Sequence, residues 1–378
     1  MKKVLVLAVA LVFGVVAGGK QRAYAASSSD GADNAVSGLF TSQELQKFAA
    51  LDPIDTHAHV YRNDAAIHAL FNKLNLHILD IVLVDDQAPE PVHNNLAVES
   101  KAAWEFVHAS HGRAVFCTSF DPYKVGEPGF ADNAIRGLNR EFSRGAIAVK
   151  LWKNVGMEIQ DDHGNYILPD NPIFAPIYKD IAAHHKTLVA HIADPSSAWE
   201  PENPASPDYS YYKQHPVWYM YNKQHPASKE QIIAARDHVL EQNPNLRLVG
   251  AHLGSMEADF NQIAQHLDRY PNFAVEVAAR VPYMMLQPRD QIIAFILKYQ
   301  DRLIYATDNT FSPENKLDQK LYDWEKNYAR DWRFFATNDT LDYKGHQVQG
   351  LALPDAVLRK LYHANAVRWF PGIVPSSH

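Results

Sequence analysis

The sequence predicts an α/β fold, a (β/α)8 TIM barrel with long loops after strands 5 and 8. From residue 54 onward, short apolar runs rich in β-branched residues alternate with segments of helical periodicity. That alternation marks a parallel α/β sheet. Eight such runs occur in order. No GxGxxG follows an early run, which argues against an open, doubly wound nucleotide-binding sheet. A chain of 378 residues that is 47% hydrophobic is large enough for one such core.

The runs are Ile54 to Val60, Ile78 to Val84, Ala114 to Phe120, Ile147 to Trp152, Thr187 to Ile192, Leu246 to Leu253, Phe273 to Ala279 and Leu303 to Asp308. Helical spacing fills most intervals: Leu96 to Ala109, Asp132 to Phe142 and Ile173 to His184. Ser228 followed by Gln231 is a capping-box pattern, and Ile232, Ala235, Val239 and Leu240 then share a face. Phe260, Ile263, Ala264 and Leu267 form another stripe, as do Ile292, Phe295, Ile296 and Tyr299. A last helix is predicted over Pro354 to Trp369, with proline where the missing N–H costs nothing. Two connections are long. Ala193 to Ala227 carries Trp199, Tyr209, Tyr211, Tyr212, Trp218, Tyr219 and Tyr221, and Asn309 to Leu353 follows the eighth run. Loops of this kind commonly serve as lids, substrate walls or oligomer contacts, so a homo-oligomer is one expected arrangement.

The start of the chain reads differently. Lys2 and Lys3 precede the apolar run Val4 to Ala17, and Ala23-Tyr24-Ala25 has the small-x-small form of a cleavage site. Residues 1–25 are therefore expected to be a signal peptide of a periplasmic or secreted bacterial protein. The alternative, an uncleaved anchor, wants ~20 apolar residues, more than this run offers. Residues 26–50 are expected to be a leader and N-terminal segment, and 51–372 the barrel domain. Cys117 is the single cysteine, so no intramolecular disulfide forms. Removing residues 1–25 lowers Lys+Arg from 36 to 32 against 43 acids, a formal charge of −11. Nucleic acid is a poor match for such a surface. After signal cleavage no membrane association is expected, and a small molecule remains the expected partner.

Barrel enzymes place their active groups at the C-terminal ends of strands. The first run ends Asp55-Thr56-His57-Ala58-His59, and alternation in a strand puts His57 and His59 on one face. Neutral imidazoles so placed can bind one metal ion. Alone, the pair could equally be two satisfied core histidines. Later runs end with His191, His252 and Asp308, and their convergence on one end of a barrel is hard to ascribe to chance. Lys150 lies inside the fourth run, where a lysine is costly unless paired or modified. It could carry a carbamate and bridge two ions, hold a substrate carboxylate, or be capped by an acid such as Glu276.

The ordered set His57-x-His59, Lys150, His191, His252 and Asp308 resembles the amidohydrolase superfamily. Ala251-His-Leu-Gly-Ser255, Arg269-Tyr-Pro-Asn272 and the closing Tyr362-His-Ala-Asn-Ala-Val-Arg-Trp-Phe370 resemble its amidohydrolase-related (amidohydrolase 2) branch, from about Leu51 to Phe370. The resemblance implies a divalent metal, with zinc expected and one or two ions per chain. His57, His59, His191 and Asp308 would be ligands, with Lys150 if carbamylated and His252 if the site is binuclear. It implies Asp308 as the proton carrier and His252 as a second catalytic group. The branch holds amide hydrolases, lactonases and non-oxidative decarboxylases, so hydrolysis of an amide, ester or lactone is expected, with decarboxylation of an aromatic or muconate-like acid as the alternative. Trp152, Lys153, Arg280 and Asn309 directly follow strand ends and are the expected substrate contacts. Lys153 and Arg280 suit an anionic substrate, or are simply paired charges. His184, His185, His225 and His363 are expected to be structural or surface residues.

Overall fold

The computed structural model describes residues 39–85, 95–206 and 208–374. The expected signal segment and residues 26–38 of the leader lie outside the described residues. Among the described residues no helix is long and apolar enough to cross a membrane.

The centre is a parallel sheet built from β1 (Ile54–Val60), β2 (His77–Ile81), β3 (Ala114–Ser119), β4 (Ala148–Leu151), β5 (Thr187–Ala190), β6 (Arg247–Gly250), β7 (Phe273–Glu276), β8 (Leu303–Ile304) and β9 (Asn309–Phe311). Strands pair in chain order from β1 to β8, and β9 lies on the other side of β1. Of the predicted eighth strand, Leu303 to Asp308, only β8 is strand; β9 begins one residue past its predicted end. They are separated by a bend ending at Asp308, whose φ is +66°. Ala58 pairs with Asn309 and Val60 with Phe311. Across the break, the Thr56 N–H donates to Tyr305 O at 3.2 Å and the Asp308 N–H to His57 O at 2.8 Å. The sheet thus closes on itself as a (β/α)8 TIM barrel.

Its interior shows the closure independently. Ile54, Leu79, Ile81, Cys117, Ala148, Val189, Val249, Ala274 and Ile304, from all eight strand positions, form one buried cluster with Trp369 and Phe370. The last helical stretch therefore seals the floor of the barrel. It is less regular than predicted: Asp355–Arg359 and Asn365–Trp369 are α-helical, with a π-helical turn at Lys360–Ala364 between them. The capping box predicted at Ser228 and Gln231 is present at the head of helix Lys229–Gln242.

Other regions also differ from the sequence-based expectation. The stretch after β8 is not a plain loop: it holds the 20-residue helix Leu317–Ala336 and a hairpin, β10 (Thr340–Tyr343) with β11 (His346–Gln349). Trp324, Tyr328, Trp332 and Phe335 on that helix are buried. Helix Ser42–Ala49, within the segment expected to precede the domain, joins this packing. Its Phe48 ring lies 6.2 Å from Tyr328 and 5.9 Å from Trp332, and Glu44 pairs with Arg333 at 2.7 Å. Burying one such phenylalanine contributes roughly 2 kcal/mol. A helix the periodicity did not single out, Ala65–Leu74, links β1 to β2 and is capped by Asp64. The loop after β5 folds into short helical turns, including Tyr209–Gln214 and Pro216–Trp218.

β6 is shorter than the predicted Leu246 to Leu253 because the chain leaves the sheet at Gly250. His252, Leu253, Gly254 and Ser255 have φ of +57°, +57°, +67° and +63°. This left-handed turn costs L-residues roughly 1–2 kcal/mol each, so the surroundings must enforce it. Arg236, fully buried, donates to Gly254 O at 2.9 Å, and its guanidinium lies 4.5 Å from the Phe273 ring centroid. A Cβ on Gly250 would fall 2.7 Å from the Gly254 Cα, which explains glycine there.

Candidate metal centre

β1 carries one extra residue between its pairings Asp55–Ile78 and Ala58–Asp80, a bulge at Thr56 and His57. Bulges re-aim side chains beside active sites. Here His57 and His59 both reach the cavity at the barrel mouth. The bend at Asp308 delivers its carboxylate to the same place. Asp308 Oδ1 lies 3.5 Å from His57 Nε2 and 3.2 Å from His59 Nε2. One ligand atom from each of these three residues falls within 4.8 Å of the others.

The tautomers follow from the partners. His59 Nδ1 lies 2.7 Å from Ile81 O and His252 Nδ1 lies 2.9 Å from Ala278 O. A carbonyl only accepts, so each Nδ1 carries the proton and each Nε2 keeps its lone pair. His57 Nδ1 lies 2.8 Å from Glu276 Oε1, which fixes the same tautomer. His191 Nε2 is buried with no hydrogen-bond partner, although Asp194 Oδ1 is 3.4 Å away. The His191 and His252 ring centroids are 4.2 Å apart, and those of His57 and His252 5.1 Å. The structure therefore brings all five expected strand-end groups together.

Electrostatics suit a cation. Burial, then the Lys150 ammonium, push His57 below its ordinary pKa; burial and neighbouring cations do the same, further, at His191. His252 is also held well down, first by burial and then by His191. Neutral imidazoles are the form that binds metal. Loss of hydration would raise Asp308, but His57, His59 and His252 override it and hold the carboxyl well below the usual range. These donors, one orphaned and one anionic, fit a divalent ion. Lys150 Nζ lies 3.0 Å from His57 Nε2 and is buried, and burial lowers it to about 8 against the pull of Asp308 and Glu276. Glu276 does not cap it by a hydrogen bond among the contacts described; that carboxylate serves His57 and the backbone instead.

The cavity has a volume of about 260 Å³, with Trp152, Tyr61, Tyr211 and Thr310 among its walls. A larger hollow of about 740 Å³ lies on the barrel flank, against helices Leu96–Ala109 and Phe130–Arg144, and contains none of the strand-end histidines. The expected substrate contacts separate. Trp152 lines the cavity, 4.9 Å from Trp218 between ring centroids. Lys153 also lines it but is no free cation: both Asp194 oxygens lie 2.7 Å from Nζ, as does the Tyr211 hydroxyl. Arg280 is buried beside the cavity rather than in its wall, 3.6 Å from Glu257 and over the Tyr283 ring. Asn309 turns away, accepting from Asn327 at 2.9 Å, because strand alternation in β9 gives the cavity to Thr310. Of the four residues expected to be structural or surface groups, none lines the cavity.

Residues outside the expected set matter equally. Glu276 ends β7, and the strand-end rule that found the histidines would have found it too. Asp55 sits two positions before His57 on the same strand and is wholly buried.

A family model described as "Amidohydrolase" (Amidohydro_2) matches residues 54–372, and the chain belongs to that family. Among solved structures, a Staphylococcus aureus protein described as an amidohydrolase by assignment matches with a TM-score of 0.52 at 12% identity, over 84% of this chain and 99% of that one. A protein described as an amidohydrolase II matches with a TM-score of 0.51 at 14% identity, over 84% and 99%. 5-Carboxyvanillate decarboxylase from Sphingomonas paucimobilis matches with a TM-score of 0.48 at 12% identity, over 85% and 99%. No curated protein matches the chain.

Proposed function

We propose that this chain is an exported metal-dependent hydrolase that opens an amide, ester or lactone bond in a small substrate. The observation that carries this reading is the convergence of His57, His59 and Asp308 within 4.8 Å at the base of a cavity. His57, His59 and Asp308 would hold the ion, with the unpartnered His191 Nε2 turned to the same task. A bound divalent ion, zinc by the donor set, supplies Lewis acidity that polarises a carbonyl and lowers the pKa of water toward ~7.

The residues do the rest. Asp308 takes the proton of the attacking water and passes it to the departing nitrogen or oxygen, giving an acid and an amine or alcohol. His252 stands beside His57 and His191 as a neutral proton acceptor for the same bond. Trp152, Tyr61 and Tyr211 exclude water and favour a flat or cyclic substrate. A volume of about 260 Å³ suits a small molecule. A substrate carboxylate would have to compete with Asp194 for the Lys153 ammonium, while Arg280 stands behind the wall beside Glu257. Export rests on the basic, apolar and small-x-small segments of residues 1–25.

The zinc-loaded enzyme should release acid from a panel of cyclic lactones, esters and amides that carry a carboxylate, and a strong chelator should stop it. Full turnover in chelator would overturn the reading. Release of CO2 from aromatic carboxylates, with no hydrolysis, would replace it with decarboxylation.

A further inference from the structure

We infer that Asp55 is the positioning residue that sets the distance between His57 and Asp308, by holding both strands with one carboxylate. This rests on the metal reading above. The barrel seam lacks a regular ladder just where it carries its chemistry: β8 ends at Ile304 and β9 begins at Asn309. Asp55 fills that gap. Its Oδ1 accepts from the backbone N–H of His57 at 3.1 Å and of Thr307 at 3.0 Å. Its Oδ2 accepts from the Thr307 hydroxyl at 2.5 Å and the Tyr328 hydroxyl at 2.8 Å. One oxygen thus grips the main chain of a metal ligand and that of the residue beside the other ligand. The second oxygen ties both to helix Leu317–Ala336.

The geometry leaves little slack. Asp308 N–H donates to His57 O at 2.8 Å, so the two ligand residues share a backbone bond directly above the staple. The Thr307 hydroxyl in turn accepts from the Asn309 N–H at 3.1 Å, which restarts the strand. Without the carboxylate, two buried N–H groups would lose their acceptor, and residues 305–308 would be held to β1 only by the Thr56–Tyr305 and Asp308–His57 backbone bonds. Asparagine is a milder change: its oxygen can still accept the two N–H groups, and both hydroxyls can rotate to accept from its amide.

The test is the affinity of the full chain for Zn2+, measured by competition with a chromophoric chelator, together with the absorption spectrum of the Co2+-loaded protein. Asp55→Ala should weaken Zn2+ binding about 10- to 100-fold and alter the Co2+ bands, as loss of a supporting residue does at metal sites. Asp55→Asn should recover most of the loss. Thr307→Val, which keeps the charge, should fall between wild type and Asp55→Ala. Should Asp55→Ala fail to fold, the Thr307→Val and Tyr328→Phe variants decide by the same measurements. A folded Asp55→Ala with wild-type Zn2+ affinity and an unchanged Co2+ spectrum would overturn the inference, since a purely structural role lowers melting temperature without touching either. If the wild-type chain takes up neither ion, the metal reading itself falls.

Discussion

Glu276 and His57 are joined by a 2.8 Å hydrogen bond, and the same carboxylate oxygen accepts the backbone N–H of His252 at 3.0 Å. One buried atom therefore orients a candidate metal ligand and anchors the left-handed turn that carries a second histidine. A carboxylate behind a ligating imidazole raises its basicity and fixes its ring. Glu276→Gln should lower Zn2+ affinity about 10- to 100-fold with the fold retained. Isothermal titration of the purified variant checks this, and an unchanged affinity would remove Glu276 from its assigned role.

Asp308→Asn should abolish turnover while leaving the far-ultraviolet circular dichroism unchanged. The amide cannot take a proton from water, yet it keeps nearly the same volume in a side chain that is 34% exposed. Activity within a few-fold of wild type would refute the proton-carrier assignment.

Elemental analysis of the purified protein should find about one divalent ion per chain. Among the described residues, only His57, His59 and Asp308 form a cluster of three possible ligands. Two ions per chain, with Lys150 heavier by one CO2 in the intact mass, would instead make Lys150 a bridging carbamate.

Much of this centre is legible in the sequence because strand ends are legible. His191, His252 and Asp308 each follow an apolar run, His57 and His59 alternate along the first strand, and the barrel then requires them to meet. The periodicity does not reveal backbone excursions. The left-handed turn at His252 to Ser255 shortens β6, and the bend at Asp308 splits the eighth strand; both are set by distant partners, Arg236 and Asp55, that no local pattern exposes. Helix Leu317–Ala336 is different. Leu317, Leu321, Trp324, Tyr328, Trp332 and Phe335 follow helical spacing, but the charges between them give the stretch the composition of a loop. Asn309 shows the limit of adjacency: it follows a ligand directly, yet strand alternation turns it from the cavity.

Stability should depend on pH through Glu99. Burial, opposed by the Leu83 N–H and reinforced by Asp85, raises its carboxyl to about 8. The native state then keeps a proton that the unfolded chain releases above about 4.5, so stability falls as pH rises between those values. Glu99→Gln removes this dependence. At pH 9 it should be more stable than wild type by on the order of 5 kcal/mol, and near pH 4 the two should agree. Urea unfolding at both pH values is the measurement, and a variant destabilised at pH 9 would contradict it.

Gly254→Ala should destabilise the protein by about 1–3 kcal/mol. Its φ of +67° disfavours any Cβ, and that Cβ would sit 3.0 Å from Met256 Cε and 3.1 Å from the Phe273 ring. Thermal unfolding gives the answer; a melting temperature equal to wild type would show the turn to be relaxed.

The floor of the barrel is made by Trp369 and Phe370, almost the last residues described. A ribosome must therefore pass Phe370 before the interior beneath His57 can be sealed, and the pairing of β9 with β1 joins residues some 250 positions apart. Nascent chains should stay open, and reachable by chaperones, until Trp369 and Phe370 have emerged.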